Sequence, residues 1–550
     1  MSTLGASGPV GDADNTKSSG TAQLDEQPPG GSGSHLSRRR LLERGGTVVG
    51  AVAGLGLAGF VGFKLPHHSA LAATRPKAAA AAPRSPYDPG AVVRHFVTRA
   101  DLTPPAINVT SVGPGAPATS PGYIFLSTKG YPAAGPGQAG NIILDRQGRV
   151  VWFAPSGSQS WLGFDTQTYR GQPVLTWWQG DVKAGYGKGE GVIADASYKT
   201  IATVRAGHGL MADLHEFAIT PQDTALVTAY RTAPADLSKL GGKAQGMVLS
   251  GVVQEIDIAT GKVLFEWDSL DHVAPAETMA PFAGGTSKLP FDYFHINSIA
   301  VAPDGDLLVS SRNTSAVYKI SRPGGRVLWR LGGRQSSFTM GPGTRFYFQH
   351  HARPHGASTL SLFDDGGAPP QIEKQSRAIL LDMDTSAMTA TLRRQYLHPA
   401  GVAAANQGSM QVLPDGRVFV GWGNQPYFSE FAADGQIRLE GEFPVSDQSY
   451  RAFTAAWRGR PSGKPAAVAR VNPAGGSVVY VSWNGATEVA AWVVRSGQTP
   501  GSLAQVGRQE WLGFETAIAV ASSGPYFAVT AVDAHGTALG DSEAVKVGNA

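Results

Sequence analysis

The hydrophobic pattern of this chain is a succession of short apolar or alternating runs, each bounded by Gly, Pro, Asn or Asp. The run HINSIAVA at 295–302 is followed by the turn Pro303-Asp304-Gly305, and then by DLLVSSR, AVYKI and RVLWRL. Proline presets φ and glycine tolerates positive φ, so such tripeptides end one strand and begin the next. The stretch 291–333 therefore predicts one four-stranded antiparallel unit.

Similar stretches recur along the chain and predict an all-β protein. With 291–333 they make six units, the others lying at 122–152, 172–205, 214–267, 350–397 and 406–443. The final strands of three units have similar sequences, namely GRVVW from 148, GKVLFEW from 261 and GRVLW from 325. Six units with weak internal repetition predict a six-bladed β-propeller over 92–455. A β-sandwich is the alternative, but this many units favours radial repetition.

The remainder of the C-terminal part predicts a second, smaller domain. The stretch 460–464 is rich in Pro and Gly and is predicted to be a linker. After it, VVYVSW, AAWVVR and PYFAVTAVD are strand-like, with Trp483 and Tyr526 as the expected core aromatics. The pattern over 465–550 is typical of a fibronectin type III-like β-sandwich.

The first ninety residues predict export. Residues 1–44 form a polar leader, predicted to be disordered, that contains the twin-arginine motif Ser37-Arg38-Arg39-Arg40. Residues 45–72 hold an apolar run and the A-x-A cleavage site Ala70-Leu71-Ala72, and 73–91 is a linker. We expect twin-arginine export to an extracellular or cell-envelope location. A retained membrane anchor is the alternative, although the Gly- and Ala-rich run is short for a span.

The amino-acid composition excludes or disfavours several classes of reaction and ligand. The chain has no cysteine, which excludes disulfides, thiolate nucleophiles and Cys-ligated metals. A net charge of +4 on 550 residues does not indicate a nucleic-acid surface. The sequence also lacks a P-loop, which argues against a nucleotide donor.

Polar groups recur where the predicted first strands begin. His215 follows Asp213 by two residues, and His295 precedes Asn297 by two, so each couple is expected to share one strand face. His350 begins the fifth unit, and Arg312 ends the second strand of the fourth. Because first strands line the central channel of a propeller, these groups are predicted to converge at one mouth.

Several histidines with one arginine suit the transfer of a small oxyanionic group. Imidazole can attack as a nucleophile or deliver a proton, and the guanidinium fork can hold two oxygens. Asp364 and Asp365, beside glycines, are interpreted as a loop. Each histidine taken alone is as readily structural. A metal site built from His350, His351 and His355 with His215 or His295 is disfavoured, because no strand carries an HxH pair.

Several longer pieces carry a resemblance to a known family. They are LTWWQGDVKAGYGKGEGVIAD, ADLHEFAIT, DYFHINSIAVAPDGDLLVSSRNTSAVYKI, FQHHARPHG and GWGNQPYFSEF, spread over about 121–442. The chain resembles the bacterial arylsulfate sulfotransferases, in the branch of exported propellers. The resemblance implies sulfuryl transfer from a phenolic sulfate ester to a phenol through a sulfohistidine, with no nucleotide, metal or other cofactor.

The resemblance also implies roles for particular residues. His350 corresponds to the nucleophile, His215 and His295 to sulfuryl-binding and acid/base groups, and Arg312 to a clamp. Asn297, His351 and His355 are expected to bind substrate, and His351 replaces His350 if the motif shifts by one residue. Well-characterised family members carry a disulfide and an N-terminal β domain, whereas this chain has no cysteine and is predicted to end in a different β module. A non-catalytic binding propeller and a metal-dependent hydrolase are the alternative functions.

Overall fold

The computed structural model describes residues 91–112, 122–130 and 135–548. The predicted leader, signal segment and nearly all of the first linker lie outside the described residues. Strands make up 52% of the structure and helix 2%, which confirms the all-β prediction. Within the described part, no helix has the length and apolarity needed to cross a membrane.

In its described residues, the first and larger body contains 27 strands and three short 3₁₀ helices at Ser238–Leu240, Ser269–Asp271 and Pro275–Glu277. In chain order the strands are β1 (Asn108–Ser111), β2 (Tyr123–Gly130), β3 (Gly140–Leu144), β4 (Val150–Pro155), β5 (Ser160–Tyr169), β6 (Gln172–Lys183), β7 (Tyr186–Ala194), β8 (Thr200–Val204), β9 (Ala212–Ile219), β10 (Thr224–Ala235), β11 (Gly246–Asp257), β12 (Val263–Asp268), β13 (Phe291–Asp292), β14 (Ile296–Val301), β15 (Leu307–Ser311), β16 (Ala316–Ile320), β17 (Val327–Gly332), β18 (Thr339–Met340), β19 (His350–His355), β20 (Thr359–Asp364), β21 (Arg377–Asp384), β22 (Thr389–Leu397), β23 (Ser409–Val412), β24 (Val418–Gly421), β25 (Tyr427–Phe431), β26 (Ile437–Glu442) and β27 (Asp447–Ala455).

Within the described residues, one nine-stranded sheet contains both β5–β8 and β9–β12, because Gly189 on β7 pairs with Ala212 on β9. When these are counted as two, the antiparallel sheets divide into six units of four strands. Five are continuous in sequence, namely β5–β8, β9–β12, β14–β17, β19–β22 and β23–β26, and the sixth is β27-β2-β3-β4. The last strand of the body thus pairs with β2 from its beginning, with Phe125 opposite Phe453. Short additions extend three units, since β1 pairs with β26, β13 with β11 and β18 with β22.

The first strands of the six units contact one another in a closed ring. β27 touches β5, and the contacts continue through β9, β14, β19 and β23 back to β27. Six buried apolar clusters lie between neighbouring units, one for each junction. A strand such as β15 is therefore buried at every residue, because neighbouring units cover both of its faces. This explains why its sequence is apolar without strict alternation.

The C-terminal body has two antiparallel sheets. Its strands are β28 (Ala466–Val471), β29 (Ser477–Ser482), β30 (Ala491–Thr499), β31 (Ser502–Glu510), β32 (Glu515–Val520), β33 (Tyr526–Val532), β34 (Ala538–Asp541) and β35 (Val545–Lys546). One sheet is β28-β29-β32, and the other is β31-β30-β33-β34 with β35 on β33. Both sheets contribute to one apolar core. The fibronectin type III likeness stays a prediction.

Of the two expected core aromatics of this body, Trp483 packs against the core, whereas Tyr526 is not among the residues of that core. Trp483 and Tyr526 are only partly buried, whereas Trp492 is 1% exposed and Phe527 is fully buried. The body also contacts the first one directly. The Glu515 carboxylate accepts hydrogen bonds from the backbone N–H groups of Val97 and Thr98 at 3.0 and 2.6 Å.

Candidate active site

Three buried or partly buried Asp–His pairs lie in three consecutive units. In each, an aspartate oxygen lies within hydrogen-bonding distance of the histidine Nδ1, so that Nε2 is left as the outward-facing nitrogen. The pairs are Asp213–His215 at 2.5 Å, Asp292–His295 at 2.5 Å and Asp365–His350 at 2.8 Å. A carboxylate at Nδ1 orients the ring and fixes its tautomer.

The histidine rings converge. The His215 and His295 ring centroids are 4.7 Å apart, and Tyr450 on β27 lies 5.8 Å from the His215 ring and 6.3 Å from that of His350. Tyr450 is 2% exposed, and its hydroxyl has no hydrogen-bond partner among the described residues. The structure therefore brings His215, His295 and His350, which are distant in sequence, into one cluster.

Three residues near this cluster have left-handed backbone conformations and directly precede or closely precede a first strand. His295 precedes β14 with φ of 52°, Phe348 precedes β19 with φ of 57°, and Gln407 precedes β23 with φ of 71°. Non-glycine residues rarely adopt positive φ, and such positions concentrate at functional sites. Here the same device turns the chain just before the first strand of three consecutive units.

His350 is held as a neutral imidazole whose Nε2 carries a lone pair and no proton. It is 1% exposed, and the Gln407 backbone N–H donates to its Nε2 at 3.3 Å. Because an N–H can only donate, Nε2 carries no proton, and Nδ1–H therefore donates to Asp365. Burial, and next the charge of Arg312, lower the pKa of His350 well below its ordinary value. Burial also raises the pKa of Asp365, against the opposing effect of Arg312.

The other two pairs differ in electrostatics. Burial lowers the pKa of His295, although Asp292 opposes the shift. Burial would raise the pKa of Asp213, but His215 and the backbone N–H groups of Gly187 and His215 lower it below its usual value. Asp213 is thus an ionised, strongly bound partner for His215.

Arg312 lies beside these pairs. Its guanidinium donates to Asn313 Oδ1 at 2.7 Å and to the Ala405 carbonyl at 3.0 Å, and it stacks 5.0 Å from the Phe348 ring centroid. Burial lowers its pKa, and the negative charges that oppose this shift are Asp365 and Asp292. Arg312 therefore lies near the partners of His350 and His295.

Asn297 is placed differently from the prediction. His295 lies outside β14 with positive φ, and a bulge follows between Ile296 and Ser298, so simple alternation does not relate His295 to Asn297. The Asn297 amide donates to the Gln349 carbonyl at 2.5 Å, next to His350. The shared-face expectation for this couple was wrong, because it assumed an extended strand at His295.

His351 and His355 belong to a second group. They line a cavity of about 340 Å³ together with Asp165, Glu216 and Arg353. The His351 ring packs on Phe453 at 5.4 Å, and His355 Nε2 lies 2.8 Å from Ser361 Oγ. The substrate-binding role of these two histidines stays a prediction, and the structure does not bring them together with the Asp–His pairs.

Several residues of the cluster were missed from the sequence. Asp365 was interpreted as part of a loop, yet it is fully buried against His350. Asp292 and Tyr450 were not singled out. One signal was present, since Asp292 lies three residues before His295 as Asp213 lies two before His215. Asp365 is fifteen residues from His350 and meets it only after β19 and β20 pair.

Glu216 connects the two groups. It accepts from Arg451 at 2.9 Å and from Arg353 at 2.6 Å, and Arg451 also donates to the His215 carbonyl at 2.7 Å. This buried ion network lines the second cavity and, through Arg451, also reaches the backbone of His215. Among residues 91–112, 122–130 and 135–548, no group of three or more His, Cys, Asp or Glu is arranged to hold a metal ion.

The site defines a histidine-based transferase or binding centre in an all-β chain. Comparison with protein families matches residues 165–444 to the arylsulfotransferase (ASST) family, which covers half of the chain. The chain belongs to this family. Membership indicates an arylsulfotransferase acting on phenolic substrates, and the resemblance found in the sequence is confirmed.

No curated protein matches the chain. Three solved structures resemble it weakly. A Bacteroides caccae protein of unknown function has 12% identity and a TM-score of 0.38, and covers 61% of this chain and 99% of its own. The Pseudomonas aeruginosa periplasmic gluconolactonase has 14% identity, a TM-score of 0.34, and coverages of 78% and 97%. The Staphylococcus aureus virginiamycin B lyase has 9% identity, a TM-score of 0.32, and coverages of 69% and 97%.

Proposed function

We propose that this protein is an arylsulfate sulfotransferase that moves a sulfuryl group from a phenolic sulfate ester to a phenolic acceptor. The observation that carries the proposal is the state of His350. Its Nε2 lone pair is free of a proton, its Nδ1–H is fixed by Asp365, and Arg312 lies beside the pair. A neutral, oriented imidazole next to a guanidinium is what attack on a sulfate ester requires.

The six units are proposed to be the blades of a propeller. The closed ring of contacts between their first strands supports this arrangement, as does the apolar cluster at each junction. In this architecture the first strands surround a central channel. The Asp–His pairs, which begin or precede those strands, would then lie at one mouth, where a small phenol can enter.

The first half-reaction forms a sulfohistidine. The His350 Nε2 lone pair attacks sulfur, the new N–S bond forms, and the S–O bond to the aryl group breaks. The bonding electron pair goes to the phenolic oxygen, which takes the Nε2 proton of His215 in its imidazolium form, paired with Asp213. Arg312 donates to the sulfuryl oxygens, and His295 joins it only in the form that carries a proton on Nε2. Each preorganised donor of this kind lowers the activation free energy by about 3–4 kcal/mol.

The second half-reaction is the reverse with another phenol. His215 removes the proton of the acceptor, whose oxygen attacks sulfur, and the N–S bond breaks to return neutral His350. The cycle conserves atoms and charge without a nucleotide or a metal. Ping-pong kinetics are the expected signature.

The test is phenol release from a chromogenic aryl sulfate in the presence of a phenol acceptor. His350→Ala is expected to lose acceptor-dependent release, since the covalent intermediate cannot form. His398→Ala is the matched control, because His398 is also buried but packs against Trp422 and Tyr427 and has no role in the proposed scheme. Undiminished turnover by His350→Ala would refute the nucleophile. An inert parent across a panel of donors would favour a binding propeller instead.

We also propose that the protein is exported by the twin-arginine route. The motif Arg38-Arg39 before a weakly apolar run and an A-x-A site supports this. Changing both arginines to lysine is expected to leave the protein in the cytoplasm. Export of the parent and of the double variant is measured by cell fractionation. Unaltered export of the double variant would rule out the twin-arginine route.

A further inference from the structure

Lys129 presents an ammonium group that the scheme above does not use. It lies near the end of β2, and no carboxylate of the described residues forms an ion pair with it. Burial lowers its pKa to about 8. A partly buried cation without a counter-ion costs folding free energy, so its presence calls for an explanation in function.

Two independent contacts connect Lys129 to the active site. Its Nζ lies 5.9 Å from the ring centroid of Tyr450, the residue whose ring meets both His215 and His350. In the β2–β27 register, Lys129 lies opposite Gln448. The Gln448 side chain accepts from Gln407 at 3.1 Å, and the Gln407 backbone N–H meets His350.

Tyr450 contributes a second unused group. Its hydroxyl is buried and has no hydrogen-bond partner within the described part of the chain. Buried polar groups are nearly always paired, so an unpaired hydroxyl on a ring that lies near two histidine rings indicates a place for a ligand oxygen. Arg312, where the sulfuryl group is proposed to bind, lies against Phe348 and is influenced by the charge of Asp365.

We propose that Lys129 and Tyr450 form the subsite that holds the phenolic oxygen of donor and acceptor. The inference rests on the proposed function. As the S–O bond breaks, negative charge moves from the sulfuryl oxygens to the phenolic oxygen. The Lys129 ammonium and Tyr450 hydroxyl stabilise that oxygen as a phenolate before His215 supplies its proton. The subsite thereby extends the substrates from activated phenols to weakly acidic ones.

The first experiment needs no turnover. 4-Nitrophenol is titrated with the full-length protein, and the bound ligand is followed by its phenolate absorbance. The parent is expected to prefer phenolate over phenol by about tenfold, which lowers the apparent pKa of the ligand by about one unit. Lys129→Met loses this preference, and Lys129→Arg restores most of it. Equal phenolate binding by the parent and Lys129→Met, or no binding by the parent, overturns the proposal.

Matched controls are available in β16. Lys319 is a partly buried strand lysine that is paired with Asp304, and the Tyr318 hydroxyl donates to Thr314 at 3.0 Å. Lys319→Met and Tyr318→Phe are expected to keep the phenolate preference, whereas Tyr450→Phe weakens it. Thermal unfolding checks folding, and Lys129→Met is expected to be no less stable than the parent because it removes an uncompensated cation.

The second experiment measures turnover with aryl sulfates of progressively less acidic phenols. For Lys129→Met the loss of kcat is expected to grow along the series and to reach about 10²-fold for the weakest leaving group. A uniform rise in KM would mean that Lys129 binds the sulfuryl anion, and would overturn the subsite. If the parent does not transfer sulfuryl groups but the phenolate preference depends on Lys129, the proposed function fails and the phenolate subsite stands.

Discussion

In the proposed reaction, Asp365 and the Gln407 N–H together fix which nitrogen of His350 can attack. The Asp365 carboxylate only accepts from Nδ1–H, whereas an amide in its place can also donate to Nδ1 and so favours the tautomer with the proton on Nε2. Asp365→Asn is expected to lower kcat by up to about 10⁴-fold, by analogy with the wrong tautomer in a Ser-His-Asp triad. The control is Asp364→Asn, since the neighbouring buried Asp364 binds Arg377 at 2.9 Å. Equal kcat losses in the two variants would contradict the tautomer argument.

Arg312 is expected to influence the pH range over which His350, the proposed nucleophile, is active. Its charge is the second cause, after burial, of the lowered pKa of His350. Removing the charge in Arg312→Met raises that pKa, so that more of the free enzyme is protonated in mild acid. The acid limb of kcat/KM is expected to move to higher pH, in addition to the fall in rate. A pH–rate profile with an unmoved acid limb would show that another group titrates there.

The residues of the site could be predicted in part. His215, His295, His350 and Arg312 were found because they stand where apolar strands begin or end, and Asp213 because a spacing of two places it on the face of His215. Asp365 could not be found this way, because pairing of two strands brings it to His350. His295 was assigned to an extended strand, and its positive φ overrides the alternation that the prediction assumed.

The strands of the larger body follow from local pattern, except where burial is partial. β5 was missed because most of its residues are only partly buried, and its sequence SWLGFDTQTY shows little apolar alternation. The first predicted unit had three strands, since its fourth, β27, comes from the other end of the body. Pairing across more than three hundred residues leaves no local signal in sequence.

Ion pairs of Glu216 on β9 with Arg353 on β19 and Arg451 on β27 stabilise the packing of these three strands. Burial would raise the pKa of Glu216, but Arg353 and Arg451 lower it below the ordinary value of 4.5. Glu216→Gln leaves two buried arginines without a counter-ion and is expected to cost about 3–5 kcal/mol of stability. Because the folded pKa is lowered, this contribution is present at neutral pH and is lost as pH falls through the folded pKa. Urea unfolding of both proteins from pH 7 downward should therefore show the difference shrinking, and a constant difference would contradict the ionised network.

At the scale of the molecule, the two bodies are joined by specific polar contacts. Besides the Glu515 bonds, the Phe153 backbone N–H donates to Asn484 Oδ1 at 2.9 Å, and Tyr198 donates to the Gly485 carbonyl at 2.7 Å. The sequence predicted a linker between separate domains, and such cross-contacts are not readable from composition. The blade count and the fibronectin likeness remain predictions from repeat and pattern.

Replacing Glu515 tests whether the contacts between the two bodies affect only stability or also catalysis. Glu515→Ala leaves the N–H groups of Val97 and Thr98 without their acceptor and is expected to cost about 1–3 kcal/mol. The midpoint of thermal unfolding should fall while kcat of the folded protein is unchanged, because the hydrogen bonds of the Glu515 carboxylate go to Val97 and Thr98 and not to the Asp–His pairs. A loss of kcat at temperatures where the variant is fully folded would show that the C-terminal body influences catalysis.

The position of β27 has a consequence for the order in which a nascent chain gains activity. Tyr450 and Arg451 lie on this strand, and Arg451 binds the carbonyls of His215 and Asn297 at 2.7 and 3.0 Å. A ribosome that has synthesised His350, Asp365 and Arg312 still carries a polypeptide in which β27 has not paired with β2. On the proposed scheme, such an intermediate is expected to be inactive. Activity would then require that synthesis has passed residue 455 and that β27 has paired with β2.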